Sequence, residues 1–110
     1  KNSRLVLSPS IYESSSLPIL ESCKIGIPVI CSDIEPNKEL NKKLKLNLFK
    51  SSNVNSFSKT LLKVWFNKKL LNSQSKYNLK KIKNYSWVKT AKKYEKIFYL
   101  LNKKKSKVNL

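Results

Sequence analysis

The fold is decided by residues 5–33, which read LVLSPSIYESSSLPILESCKIGIPVICSD. Residues 5–7 and 29–31 are uninterrupted apolar runs, the pattern of parallel strands that are covered on both faces of a sheet. A segment with helix start and stop signals separates the two runs. The sequence therefore predicts a strand, a helix and a second strand, which together form the right-handed βαβ unit of an α/β fold.

The helix between the two strands has identifiable ends. Ser16 is a suitable N-cap, so the helix starts at Leu17 with Pro18 at position N1, where the missing N–H costs nothing. The helix runs to about Ile25. Gly26 takes the C′ position, which favours a left-handed backbone.

The rest of the chain predicts more helices around one further strand. A short helical segment covers about 37–44, and residues 46–49 form a short strand. Asn53 caps the next helix, a weaker helix spans roughly 75–83, and Ser86 caps the last one.

Apolar residues recur at helical spacing in two of these segments, and such stripes are more often core than ligand site. The first stripe comprises Val54, Phe57, Leu61, Leu62 and Trp65, and the second Trp87, Ala91, Tyr94, Phe98 and Leu101. The predicted organisation is a strand–helix–strand segment over 1–52, helices that complete the domain over 53–102, and a frayed basic tail over 103–110.

Composition excludes several classes of enzyme. The chain has 110 residues, one Gly and no His, so it has no Gly-rich nucleotide loop and no Ser-His-Asp or Cys-His nucleophile. The two cysteines, Cys23 and Cys31, predict buried free thiols rather than a zinc site or a secreted disulfide framework, which favours a cytoplasmic location. No apolar run approaches the ~20 residues needed to cross a bilayer.

The net charge of +18 is unevenly distributed. Residues 1–40 hold four cations and five carboxylates, so the whole excess lies in 41–110. Because only one of the 24 cations is Arg, the residue that reads guanine bidentately, specific nucleic-acid binding is not predicted. We interpret most of the charge as solvated surface with a weak, salt-dependent attraction to polyanions or anionic lipid.

The candidate chemistry lies in the loop that joins the first strand to its helix. This loop is at the carboxyl end of a parallel strand, where open α/β sheets bind ligands. The amides of Ser15, Ser16 and Leu17 are expected to point out of the helix N-terminus and to bind an anion such as phosphate. Glu13 and Glu21 flank them, and carboxylates accept hydrogen bonds from the paired hydroxyls of a sugar or a ribose. This pattern suits a nucleotide-sugar.

Taken as one segment, residues 8–33 closely resemble the group 1 (family 4) retaining glycosyltransferases of the GT-B fold. Their Glu-x7-Glu motif is matched by Glu13 and Glu21, their Gly-x-Pro-Val strand by residues 26–29, and their downstream Glu by Glu39. Residues 85–87, Tyr-Ser-Trp, are similar to the aromatic-Ser-Trp that opens the family's last helix. The resemblance is strong over residues 4–40 and faint but in order over 41–102.

The resemblance implies a role for each matching residue. Glu13 is the implied catalytic-site residue, in contact with the donor sugar, Glu21 accepts hydrogen bonds from the ribose, and Glu39 supports the edge of the donor pocket. The diphosphate is held by the amides that follow Glu13, those of Ser14, Ser15, Ser16 and Leu17. The family often has Gly-aromatic-Gly where this chain has three serines, which keeps the amides but restricts the loop backbone.

The implied reaction moves a sugar from a nucleoside-diphosphate sugar to a hydroxyl of an acceptor glycan or glycolipid, with retention of configuration. It implies no cofactor and no obligatory metal. The family's phosphate-binding Arg/Lys pair and its acceptor domain would precede Lys1. The chain is therefore expected to be a fragment, the C-terminal half of a Rossmann-like (GT-B) donor domain, and to be inactive alone. The expected location is cytoplasmic, with contact at the inner face of the membrane.

Two other classes of function remain open. The first is a non-catalytic nucleotide-sugar-binding module or subunit, which would share every motif with the enzyme. The second is a basic module that binds polyanions or a membrane surface through its Lys-rich helices. This function predicts binding that weakens steeply with salt and does not depend on Glu13 or Glu21.

Overall fold

The computed structural model describes residues 2–108, and the side chains of residues 2–104. This part of the chain contains five α-helices and three β-strands. In chain order they are β1 Val6–Ser8, α1 Leu17–Lys24, β2 Val29–Ser32, α2 Glu35–Asn41, β3 Asn47–Phe49, α3 Val54–Trp65, α4 Lys68–Lys81 and α5 Trp87–Val108. A 3-10 turn, Ile82–Asn84, joins the last two helices.

The three strands form one parallel sheet in the order β1-β2-β3, which confirms the predicted α/β class and the strand–helix–strand order. All four residues of β2 are buried, as expected for a strand covered on both faces. The same expectation is wrong for β1, because the side chain of Leu7 is 46% exposed. Within the described chain, β1 makes extensive contacts only with β2 and α1.

The core lies on both faces of the sheet, because alternate residues of β2 point in opposite directions. On one face Val29 and Cys31 pack with α1 residues Ile19 and Cys23. On the other face Ile30 packs with Phe49, Val64 and Leu71. The sheet is therefore sandwiched between α1 and the α3–α4 pair, an arrangement of three layers.

The ends of α1 follow the sequence closely. Gly26 has a φ of +76°, as predicted for the C′ position, and a Cβ at this residue would lie 3.0 Å from Leu79 Cδ1. Pro18 is the second residue of the helix rather than the first, where its missing N–H is equally harmless because the first four amides of a helix have no partner inside it.

The boundaries of the later helices differ from prediction. The Asn53 cap is confirmed, since its side chain accepts from the amide of Ser56 at 2.8 Å. Helix α2 begins two residues earlier than predicted, with Pro36 in its first turn. Helix α4 begins at Lys68 rather than 75, because Asn67 caps it by accepting from the amide of Leu70 at 2.9 Å.

The two apolar stripes are less buried than predicted. In α3, Phe57 and Leu61 are half-buried, but Val54, Leu62 and Trp65 are exposed and the fully buried residue is Val64. In α5 the predicted core stripe is wrong within the described chain, because all five of its members are exposed. No described element packs extensively against α5.

Helix α5 also continues through the predicted basic tail. Residues 103–108 are helical, so the predicted frayed start at Lys103 is wrong as far as Val108. Residues 109–110 of that tail lie outside the described part of the chain. No helix within residues 2–108 is long and apolar enough to cross a membrane.

Candidate functional site

The loop of residues 9–16 connects β1 to α1 at the carboxyl end of β1, beside the carboxyl end of its neighbour β2. Parallel α/β sheets bind ligands at this edge. The loop carries four of the predicted site residues: Glu13, Ser14, Ser15 and Ser16. Their geometry decides what the edge can bind.

The Glu13 carboxylate is half-buried and held by its own loop. Its Oε1 atom accepts a hydrogen bond from Ser10 Oγ at 2.9 Å. The carbonyl of Ser10 in turn accepts from the hydroxyl of Ser32, at the end of β2. The Glu13 side chain is thus connected to β2 through two serines, Ser10 in the loop and Ser32 in the strand.

Ser16 lies at the N-cap position but does not cap the helix with its side chain. Its hydroxyl donates instead to Oδ1 of the fully buried Asn37, at 2.6 Å. The Nδ2 group of Asn37 donates to the carbonyl of Ser32 at 2.9 Å. The predicted capping role of the Ser16 hydroxyl is therefore wrong, because a tertiary partner on α2 takes its hydrogen bond.

The amides at the helix N-terminus are only partly as predicted. The Leu17 amide donates to the carbonyl of Ser15 at 3.0 Å, so it is not available to an anion. The amides of Ser14, Ser15 and Ser16 donate to no acceptor among residues 2–108. These three successive N–H groups, together with the positive end of the α1 dipole, are suited to a phosphate.

A cavity of about 240 Å³ lies between α1 and the start of α5. It is lined by Ser15, Leu17, Leu20, Glu21, Lys24, Tyr85, Ser86, Trp87 and Thr90. The cavity thus brings together three predicted site residues, Ser15, Leu17 and Glu21, and adds the Tyr-Ser-Trp segment. Glu13, Ser14, Ser16 and Glu39 do not line it.

Glu39 is exposed on α2. Its Oε2 atom lies 2.6 Å from Lys42 Nζ, and this hydrogen bond lowers the pKa of the Glu39 carboxyl. The pKa of Tyr85 is raised, first by burial and then by the negative charge of Glu39. Glu39 is therefore close enough to the cavity to act on Tyr85 electrostatically, without lining it.

The family model of the group 1 glycosyl transferases matches residues 1–81 of the 110. This chain belongs to the group 1 glycosyltransferases. The matched part contains the whole sheet and helices α1 to α4, whereas α5 and the Tyr-Ser-Trp segment follow it. No curated protein and no solved structure gives a significant match to the chain.

Three residues that organise the candidate site were not identified from the sequence: Ser10, Ser32 and Asn37. A signal for two of them was available, because Ser10 and Ser32 follow the two strands at the ligand-binding edge of the sheet. Asn37 gave no such signal, since it contacts Ser16 from 21 positions away. Among residues 2–108, no three His, Cys, Asp or Glu side chains are grouped so that they could hold a metal ion.

Proposed function

We propose that this chain is the donor-binding part of a GT-B glycosyltransferase that retains anomeric configuration. Glycosyl transfer is the general activity of the family. The proposal adds the donor, a nucleoside-diphosphate sugar, and the acceptor, a hydroxyl of a glycan or glycolipid. It also adds the stereochemistry and the roles of individual residues.

One observation carries the proposal: the free amides of Ser14, Ser15 and Ser16 follow Glu13 in the loop that enters α1, and Ser15 lines the same cavity as Glu21. Glu13 precedes the amides in the same loop, and Glu21 lines the cavity next to Ser15. A diphosphate bound to the amides would have hydroxyl acceptors on either side. A nucleotide-sugar has this layout, with sugar hydroxyls at one end and ribose hydroxyls at the other.

In the proposed reaction, the bond between the anomeric carbon and the diphosphate oxygen breaks. The acceptor oxygen forms a bond to that carbon on the same face, and the acceptor hydroxyl proton is released. The nucleoside diphosphate leaves with the bonding electron pair, and the serine amides stabilise its developing negative charge. Glu13 orients the donor sugar, Glu21 holds the ribose, Leu17 lines the pocket and Glu39 supports its edge. The proposal includes no cofactor and no obligatory metal.

The test of the enzymatic role is Glu13→Ala in the complete native protein. We expect sugar transfer to fall by at least about a hundredfold, because a group that orients the reacting centre is lost. Glu95→Ala is the matched control, since Glu95 is an exposed carboxylate on α5 outside the matched residues, and it should leave transfer unchanged. Unchanged turnover in Glu13→Ala would refute the role of Glu13, and donor binding without turnover in the unaltered protein would favour the non-catalytic module.

A second candidate function is binding to an anionic surface such as an acidic lipid bilayer. The exposed aromatic and aliphatic side chains of α5, among them Trp87, Tyr94 and Phe98, favour it, since lysines share this helix and such helices bind anionic interfaces. Binding to phosphatidylserine vesicles that falls steeply with salt and is unaffected by Glu21→Ala would support this function.

A further inference from the structure

We propose that Asn37 is a positioning residue that holds the 9–16 loop in its donor-binding conformation from both ends. The inference deepens the proposed function and rests on it for its consequence in donor binding. Its structural part, the control of the loop by Asn37, rests on the hydrogen bonds alone.

Asn37 is the centre of a continuous chain of hydrogen bonds. Its Oδ1 atom accepts from the Ser16 hydroxyl at 2.6 Å and its Nδ2 group donates to the Ser32 carbonyl at 2.9 Å. The Ser32 hydroxyl donates to the Ser10 carbonyl, and the Ser10 hydroxyl donates to Glu13. Asn37 is thus linked to the last residue of the loop directly and to its first part through Ser32.

The chemistry of this position suits an amide. Ser16 offers a hydroxyl proton and Ser32 a carbonyl oxygen, so the side chain between them must accept at one atom and donate at the other. A carboxylate would face the Ser32 carbonyl with a second acceptor. An apolar side chain would leave the Ser16 hydroxyl without its partner at a buried place, which is costly.

The two ends of the loop carry different parts of the proposed site. The Ser16 end provides the amides for the diphosphate, and the Ser10 end holds the Glu13 carboxylate for the sugar. Because Asn37 is buried on α2 and its side chain bonds the Ser16 hydroxyl and the Ser32 carbonyl, rather than the amides or the Glu13 carboxylate, it acts through the loop. Its function is to fix the spacing of the two parts before the donor arrives, which reduces the entropy lost on binding.

The experiment compares Asn37→Ala and Ser16→Ala with Ser22→Ala in the native protein. Ser22 is the matched control, because it is a second buried serine whose hydroxyl donates, here to the Ile27 carbonyl at 2.8 Å, and its hydroxyl makes no hydrogen bond with the loop. Hydrogen–deuterium exchange is measured for the amides of Leu17, Ile19 and Leu20, which donate to the loop carbonyls of Ser15 and Ser16, and for the amides of β2. The affinities for UDP and GDP are measured by titration calorimetry.

We expect exchange at Leu17, Ile19 and Leu20 to rise about tenfold more than exchange in β2 for Asn37→Ala and Ser16→Ala, because the loop carbonyls that accept from these amides move when the loop opens locally. The better-bound nucleotide should lose about tenfold in affinity in both variants. Ser22→Ala should destabilise the protein without either effect. The proposal is overturned if exchange at Leu17, Ile19 and Leu20 and exchange in β2 rise together in Asn37→Ala, as in Ser22→Ala. If the unaltered protein binds neither UDP nor GDP, the proposed function fails, whereas the exchange result still decides the role of Asn37.

Discussion

At the scale of single residues, the buried polar side chains fix how loops and helices sit on the sheet. Within the described chain they are Ser16, Ser22, Ser32, Asn37, Gln74 and Asn78. Each of them makes a hydrogen bond. Since a buried polar group without a partner costs about 1–3 kcal/mol, each of these bonds strongly selects one local geometry.

The two cysteines are predicted to be unreactive in the folded protein. Burial raises the pKa of Cys23 to about 11 and that of Cys31 to about 12, so both are protonated thiols at pH 8. Iodoacetamide at pH 8 should label them only as fast as the protein unfolds, and addition of urea should accelerate labelling. Rapid labelling of the folded protein at either cysteine would contradict their assigned burial.

The same thiols give stability a dependence on pH. Because their folded pKa values lie above the ordinary value of 9.0, the folded state favours the protonated form. Their contribution is fully present below pH 9 and is lost as pH rises through about 11 to 12. The free energy of unfolding should therefore fall above pH 9.

At single residues, the sequence predicts the conformation and the hydrogen-bond partner correctly where neighbouring residues determine them, and incorrectly where a residue distant in sequence does. The left-handed Gly26 and the Asn53 cap follow from their immediate neighbours, and both are confirmed. The Ser16 hydroxyl has the same local cap signal, but its partner is Asn37, 21 positions away. No local pattern contains that contact.

At the scale of elements, side-chain amides attach α4 to the β3 region of the sheet. Asn47 and Gln74 exchange two hydrogen bonds, of 2.9 and 2.8 Å. Asn78 accepts from the amide of Lys45 at 2.8 Å and donates to its carbonyl at 2.9 Å. Asn78 thus bonds the backbone just before β3, and Gln74 bonds a side chain of β3 itself, an edge strand of the described sheet.

Asn78→Ala should destabilise the protein by about 1–3 kcal/mol, because it removes both partners of the Lys45 backbone. The matched control is Asn72→Ala, which changes an exposed asparagine of the same helix and should change the free energy of unfolding by less than about 0.5 kcal/mol. Urea denaturation measures both. Equal stability of the two variants would show that the amide contacts do not hold α4.

The element order could be predicted because apolar runs, caps and turn residues mark β1 to α3 in the sequence. The start of α4 was missed because its first turn is Lys-rich and has little apolar periodicity, although Asn67 provides a cap. The α5 stripe was misinterpreted for a different reason. Periodicity shows that a helix has an apolar face, but it does not show that a neighbouring element covers that face.

At the scale of the whole molecule, shape and charge separate two regions. The described chain is elongated, with extents of 67 × 29 × 21 Å, because α5 extends beyond the layered core. The carboxylates of the candidate site lie in residues 1–40, whereas the excess of lysines lies in 41–110. The carboxylates of the candidate site and the excess of lysines therefore lie in different parts of the sequence, and the two regions meet where Trp87 of α5 lines the cavity.

The most direct test of the central claim, that the N-terminus of α1 binds the donor nucleotide, is a calorimetric titration of the native protein. The better-bound of UDP and GDP is compared with its 2′-deoxy form, for the unaltered protein and for Glu21→Ala. We predict that the unaltered protein prefers the ribonucleotide by about tenfold or more, since a hydrogen bond to a charged group contributes about 1.5–3 kcal/mol, and that Glu21→Ala abolishes the preference. An equal preference in both proteins would contradict the assignment of Glu21 to the ribose, and no binding of either nucleotide would contradict the donor site itself.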